Sequence, residues 1–108
     1  MKALSEQQYQ LLVDKLQDHL EVLLENTDLD LDIDNSGGIL TVHFVNGSQI
    51  IISRQPALKQ VWLAAKSGGY HLDYDDKGQQ WLLVSTNETL EQLLTRVIKE
   101  QTGQLIVI

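Results

Sequence analysis

The sequence has 108 residues, 43% of them hydrophobic and 21% charged, as expected for one soluble globular domain with a single core spanning residues 1–108. It contains no cysteine, which excludes a disulfide scaffold, a thiol nucleophile, a cysteine-ligated zinc site and a cysteine-held iron–sulfur cluster. Eight basic against fifteen acidic side chains give a net charge of −7, the wrong sign for gripping nucleic-acid phosphates.

Charge placement says more than total charge. Residues 1–35 carry nine acids and two bases, and the rest of the chain carries six of each, so the entire excess lies in the first third. Such a concentrated field suits a cationic partner, either metal ions or a basic protein surface. No apolar run approaches the ~20 residues of a membrane span. The opening Met1-Lys2-Ala3-Leu4-Ser5-Glu6-Gln7 has no apolar stretch and is not rich in arginine, so the expected compartment is the cytoplasm.

The first predicted element is an amphipathic helix over residues 5–25. Ser5 and Gln8 have capping-box spacing, in which a hydroxyl and an amide satisfy free backbone donors. Tyr9, Leu12, Val13, Leu16, Leu20, Leu23 and Leu24 form one apolar stripe. At 100° per residue, Asp14, Asp18, Glu21 and Glu25 fall within about 60° of arc on nearly the opposite side. The expected helix has a buried face and an acidic back.

At Asp28 the period changes to two. Residues 28–34 predict a strand with Leu29, Leu31 and Ile33 toward the core and Asp28, Asp30, Asp32 and Asp34 toward water. Asn35-Ser36-Gly37-Gly38 predicts a turn. Residues 39–45 follow as a strand, with Leu40, Val42 and Phe44 on one side and Thr41 and His43 on the other. Asn46-Gly47 predicts a type I′ hairpin with both central residues at positive φ, and residues 48–54 supply the partner strand. Beyond Pro56 come strands over 59–65, 70–74 and 80–84, separated by Ser67-Gly68-Gly69 and Asp75-Asp76-Lys77-Gly78. Ser85 and Glu88 repeat the capping-box spacing, with Asn87 as the other candidate cap. The helix they open has a stripe of Leu90, Leu93, Leu94, Val97 and Ile98 and stops at Gly103. The apolar tail, residues 104–108, is expected to pack back onto the core. The sum is an α+β two-layer sandwich, two helices on one face of a roughly six-stranded antiparallel sheet.

No catalytic constellation emerges. His19, His43 and His71 are scattered, the glycine pairs match no phosphate-binding loop, and exposed acids on a convex surface lack a pocket to shift their pKa values. Asp32-x-Asp34-x-Ser36-Gly37 resembles the start of a calcium loop, but position twelve, which must be a glutamate, is His43. Taken as a pattern, the acidic run fits a solvated face that blunts an edge strand, weak hard-cation binding, or docking of a basic protein. Alternation turns Gln60 and Trp62 outward if Val61 and Leu63 point inward, and Gln49, Ser53 and Gln55 with them. An outward tryptophan ringed by amides and hydroxyls suits a protein interface, whereas the other reading of Trp62 is core. Trp81 is the expected core tryptophan.

The stretch Asn46-Gly47-Ser48-Gln49-Ile50-Ile51-Ile52-Ser53-Arg54-Gln55-Pro56-Ala57-Leu58-Lys59-Gln60-Val61-Trp62-Leu63-Ala64 closely resembles the signature of the frataxin family, and its bacterial members most of all. The likeness continues through Ser67-Gly68-Gly69-Tyr70-His71-Leu72-Asp73 and Trp81, and it covers nearly the whole chain. The resemblance implies a helix–sheet–helix sandwich and a small, non-enzymatic protein of iron–sulfur cluster assembly in the bacterial cytoplasm. It implies ferrous or ferric iron, weakly bound on an acidic ridge of Asp14, Asp18, Glu21, Glu25, Asp28, Asp30, Asp32 and Asp34, with no organic cofactor. It also implies docking on a cysteine desulfurase–scaffold complex through Ser53, Gln55, Lys59, Gln60 and Trp62. The expected state is a monomer, with an iron-dependent oligomer as the alternative. Three departures from the family pattern stand out. Pro56 comes one residue early, Ser53 stands where the family often has Asn, and Leu20, Val22, Leu23 and Leu24 make the end of the first helix less acidic, which leaves the number of iron sites open. Iron storage or ferroxidase chemistry is a second class, but the ExxH pairs of ferritin-like centres do not occur here. A metal-independent protein-binding adaptor is the third.

Overall fold

The structure, a computed structural model, describes residues 4–106. Ser5 caps α1 (Glu6–Glu25), its hydroxyl accepting the Gln8 N–H at 3.1 Å while the Gln8 side chain accepts the Ser5 N–H at 3.0 Å. Six strands follow: β1 (Leu31–Ser36), β2 (Ile39–Phe44), β3 (Gln49–Gln55), β4 (Gln60–Ala65), β5 (Gly68–Asp75) and β6 (Gln80–Leu83). Then comes α2 (Leu90–Thr102), which Gly103 ends in the left-handed conformation. Each strand pairs antiparallel with the next, so the sheet is a six-stranded meander.

Periodicity decides what is buried. From α1 come Tyr9, Val13, Leu16, Leu20 and Leu24, and from α2 Leu90, Leu93, Leu94, Val97 and Ile98. Every second strand residue meets them, including Leu40, Val42, Ile50, Ile52, Val61 and Leu63. Each such aliphatic side chain contributes about 2 kcal/mol by leaving water. Trp81 packs edge-on against Tyr9 and Tyr74, with ring centroids 6.3 and 5.2 Å away, and is the core tryptophan. Tyr9 also makes a polar link. Its hydroxyl donates to the Gln60 carbonyl at 2.6 Å and accepts the Gln55 N–H at 3.0 Å, bridging the last pair of β3 and β4. Burial pushes this phenol's pKa up.

Five local expectations need correction, one of them the β4–β5 turn, which is Lys66-Ser67 because Gly68 and Gly69 pair with Ala65 and Ala64 inside β5. The first strand begins at Leu31, because β2 ends at Phe44 and Leu31 is the last residue with a partner. Asp28 and Asp30 therefore lie in the connection, while Asn35 and Ser36 join the strand. The two-residue hairpin turn is Gly37-Gly38, at φ +63° and +77°.

Asn46-Gly47 makes a different turn. Only Gly47 takes positive φ, and the Phe44 N–H bonds to the Ser48 carbonyl across a three-residue loop, Val45-Asn46-Gly47. Register gives the reason. Val42 faces Ile50 and Leu40 faces Ile52, which keeps four core residues on one side. A two-residue turn at Asn46-Gly47 would slip the pairing by one and send one strand's apolar set into solvent.

The second helix starts at Thr89, not Ser85 or Asn87. Thr89 and Gln92 form the capping box, at 3.2 and 3.0 Å. Residues 84–88 are otherwise engaged. They fold back so that the Leu83 N–H donates to the Glu88 carbonyl and the Asn87 N–H to the Leu83 carbonyl, covering the β6 edge. Of the tail, Ile106 is buried and Leu105 is 68% exposed, and residues 107–108 lie outside the described part.

Candidate functional site

Two surfaces carry the expected site residues. On the outer side of α1, Asp18 and Glu25 are exposed and Glu21 is half-buried. Asp28 and Asp30 continue the line through the connection. Leu31 and Ile33 pack toward the helices, so Asp32 and Asp34 point to the opposite, open side of the sheet, facing His43 and Thr41 of β2. Glu25 and Asp32 border one shallow groove with Leu24, Leu29, Leu31 and Ile33. The acids thus form a line that wraps around the β1 edge. Among the described residues no three acidic or imidazole side chains converge as a metal cage. Same-face strand residues are roughly 7 Å apart, so this line suits hard cations held by one or two carboxylates and water.

Asp14 differs from the other seven acids. Arg54 Nη2 donates to its Oδ1 at 2.5 Å and to Gln17 Oε1 at 3.1 Å, while Arg54 Nη1 donates to Gln10 Oε1 at 2.5 Å. Gln17, 2% exposed, donates its amide to the carbonyls of Gly38 and Ile52. This cluster ties α1 to the first hairpin and to β3. Periodicity alone did not reveal it, although Arg54 shares inward parity with Ile50 and Ile52. The Arg54→Met protein should keep the apolar stem but lose the charged head, leaving the Gln17 carbonyl oxygen without its donor. Thermal unfolding should show a loss of about 1.5 kcal/mol, or roughly 7 °C in Tm. An unchanged Tm would mean that Arg54 is only a surface charge.

The second surface is the open face of the sheet. Ser53 stands directly opposite Trp62, and Gln55 opposite Gln60. Val61 and Leu63 are buried and Trp62 is half-exposed, so the outward register holds. Lys59 closes the 56–59 turn at φ +51°, beyond the sheet's end. Sequence reasoning did not include His71 and Asp73 on this surface. The His71 ring stacks on Trp62, with centroids 4.4 Å apart and planes 10° apart, and Asp73 accepts from Gln60 at 3.0 Å. The signal was present as parity, since His71 and Asp73 flank the buried Leu72.

A separate groove of about 520 Å³ lies by the β5–β6 hairpin, bordered by Asp73, Tyr74, Asp75, Asp76, Lys77, Leu82, Leu83, Val84 and Asn87. It is remote from the acidic line and contains no nucleophile–base pair. Outside the α1–β3 cluster, Glu88 is a strongly paired acid. Hydrogen bonds from Arg96, at 2.9 and 3.2 Å, hold its pKa below the usual carboxylate value. That pair braces the 84–88 segment against α2.

The family model described as "Frataxin-like domain" matches residues 2–104. The chain belongs to the frataxin family. It is 54% identical over 104 residues to the "Iron-sulfur cluster assembly protein CyaY" of Stutzerimonas stutzeri, covering 96% of this chain and 94% of that one. Among solved structures, frataxin from Psychromonas ingrahamii superposes with a TM-score of 0.86 at 30% identity, over 95% of this chain and 96% of that one. Trimeric frataxin from the yeast Saccharomyces cerevisiae, complexed with ferrous iron, matches at 0.65 and 29% identity, over 96% and 91%. The frataxin sandwich of two helices on an antiparallel sheet is the architecture that the sequence pattern predicted.

Proposed function

We propose that this frataxin is a non-enzymatic, iron-binding accessory protein of iron–sulfur cluster assembly, acting as a single domain over residues 1–108 in the bacterial cytoplasm. It holds ferrous or ferric iron weakly along Asp18, Glu21, Glu25, Asp28, Asp30, Asp32 and Asp34. Asp14 contributes least, because Arg54 already neutralises it. It docks on the cysteine desulfurase–scaffold complex through Ser53, Gln55, Lys59, Gln60 and Trp62, with the acidic line steering the approach. The observation that carries this reading is the end-to-end relation to a protein named for iron–sulfur cluster assembly. A yeast relative complexed with ferrous iron supports the metal, and its trimeric state makes a trimer the oligomer to look for when iron is added to an otherwise monomeric chain. The unconverged carboxylates favour weak, exchangeable binding over the enclosed centre that storage or ferroxidase chemistry requires.

Residue-resolved NMR with ferrous iron added under anaerobic conditions tests the metal half. Resonances from residues 18–34 should broaden or shift first, with Asp14 lagging and the Trp62 surface nearly unchanged. Perturbation centred on His19, His43 or His71 would indicate a nitrogen-ligated site and overturn the assignment.

A further inference from the structure

Trp62 is restrained on its edge and on one face. Its indole N–H donates to Gln60 Oε1 at 3.0 Å, and the Gln60 amide nitrogen donates to Asp73 Oδ1 at 3.0 Å. An ionised carboxylate only accepts, so Asp73 fixes which end of the Gln60 amide meets the indole. Turning that amide over would break both bonds. On the ring face, His71 stacks nearly parallel at 4.4 Å. Register produces the arrangement, since Trp62 stands directly between His71 on β5 and Ser53 on β3. Serine is too small to cover the second face, which stays open toward β3.

A large side chain on a flat sheet samples several rotamers, and a partner that binds one of them must meet the cost of freezing the rest. Here one hydrogen bond and one ring stack already restrain the ring in the unbound protein. We propose that His71 and Asp73 are positioning residues of the docking surface. Asp73 orients Gln60, Gln60 and His71 hold the indole upright, and the free face of Trp62 is presented as a preformed platform. This rests on the reading of Trp62 as a docking anchor. The consequence is kinetic. A preorganised anchor gives a complex that dissociates more slowly, with little change in a rate of encounter set by long-range charge.

The test uses ¹⁵N relaxation of the two indole N–H groups, with the buried Trp81 as internal reference, in Asp73→Ala and His71→Ala. Asp73→Asn removes the same charge and keeps an oxygen for Gln60, although its amide can pair with either end of Gln60, and His71→Phe keeps a flat ring. Dissociation from an immobilised desulfurase–scaffold complex is measured on the same proteins. Both alanine variants should loosen Trp62 and leave Trp81 rigid, with dissociation about five-fold faster. The phenylalanine variant should restore both readouts and the asparagine variant part of each, which a general loss of stability would not do. A Trp62 indole as rigid as Trp81 in both alanine variants overturns the proposal. So does an indole that loosens while dissociation stays the same. If the unaltered protein fails to bind the complex, the docking reading falls, and relaxation alone still decides whether His71 and Asp73 hold the ring.

Discussion

Trp62→Ala should unfold within a few degrees of the unaltered protein and yet leave the desulfurase–scaffold complex roughly thirty times faster. The two halves of this expectation come from the same register. Val61 and Leu63 occupy the core side of β4, so the Trp62 ring lies outside the core and its removal opens no cavity. What the fold loses is the stack on His71 and one hydrogen bond to Gln60, together about 1 kcal/mol. At an interface the same truncation removes a large, already oriented anchor, worth about 2 kcal/mol and expressed in the dissociation rate. Salt should change it little. Trp81→Ala is the matched contrast. That ring is 4% exposed between Tyr9 and Tyr74, and losing it should cost about 3–5 kcal/mol of stability. Calorimetry on the two variants separates the roles. A large fall in Tm for Trp62→Ala would place that ring in the core and remove the docking surface with it.

Period is what made the architecture legible. A stripe such as Tyr9-Val13-Leu16-Leu20-Leu24 has one way to meet a sheet whose strands alternate, and short turns force neighbouring strands to be antiparallel. The errors share a cause as well. Alternation within residues 39–45 and within 48–54 fixed which side chains point inward, and that parity is incompatible with a two-residue turn at Asn46-Gly47. The local turn preference and the longer-range pattern disagreed, and the pattern won because it carries four buried side chains. The cap of α2 was expected at Ser85 or Asn87, and Thr89 was missed, although Ser85 and Thr89 both have a partner three residues on. Only the backbone bonds between Leu83 and Glu88 decide between them. Gln17 and Arg54 were invisible for a related reason. A polar residue on an apolar face reads as noise until its partners on another element are known. His71 beside Trp62 needed the pairing of β4 with β5, which no single strand's sequence contains.

Reversing Glu21, Glu25, Asp28 and Asp30 to lysine should slow association with the proposed desulfurase–scaffold partner by about 100-fold at low ionic strength. Each reversal moves the net charge by two, so the four take it from −7 to +1. The excess charge lies in residues 1–35, so the field that guides encounter would vanish there and nowhere else. Screening gives the signature. With a Debye length of about 10 Å at 0.1 M salt and about 3 Å at 1 M, most of the difference between the two proteins should disappear as salt rises. The fold should tolerate the change. Glu25, Asp28 and Asp30 are exposed, Glu21 is half-buried, and none of the four makes an ion pair among the described residues. Relief of mutual repulsion should even raise Tm slightly at low salt. Asp14→Lys is the useful control, because it strikes the one ridge acid already neutralised by Arg54. It should weaken packing of α1 on β3, since two cations would then oppose each other, while slowing association about as much as any single reversal among the four, because each moves the charge by two. Stopped-flow association rates across a salt series measure all of this. A rate loss that persists undiminished at 1 M salt would mean that the acids make direct contacts, and the steering role assigned to them would be wrong.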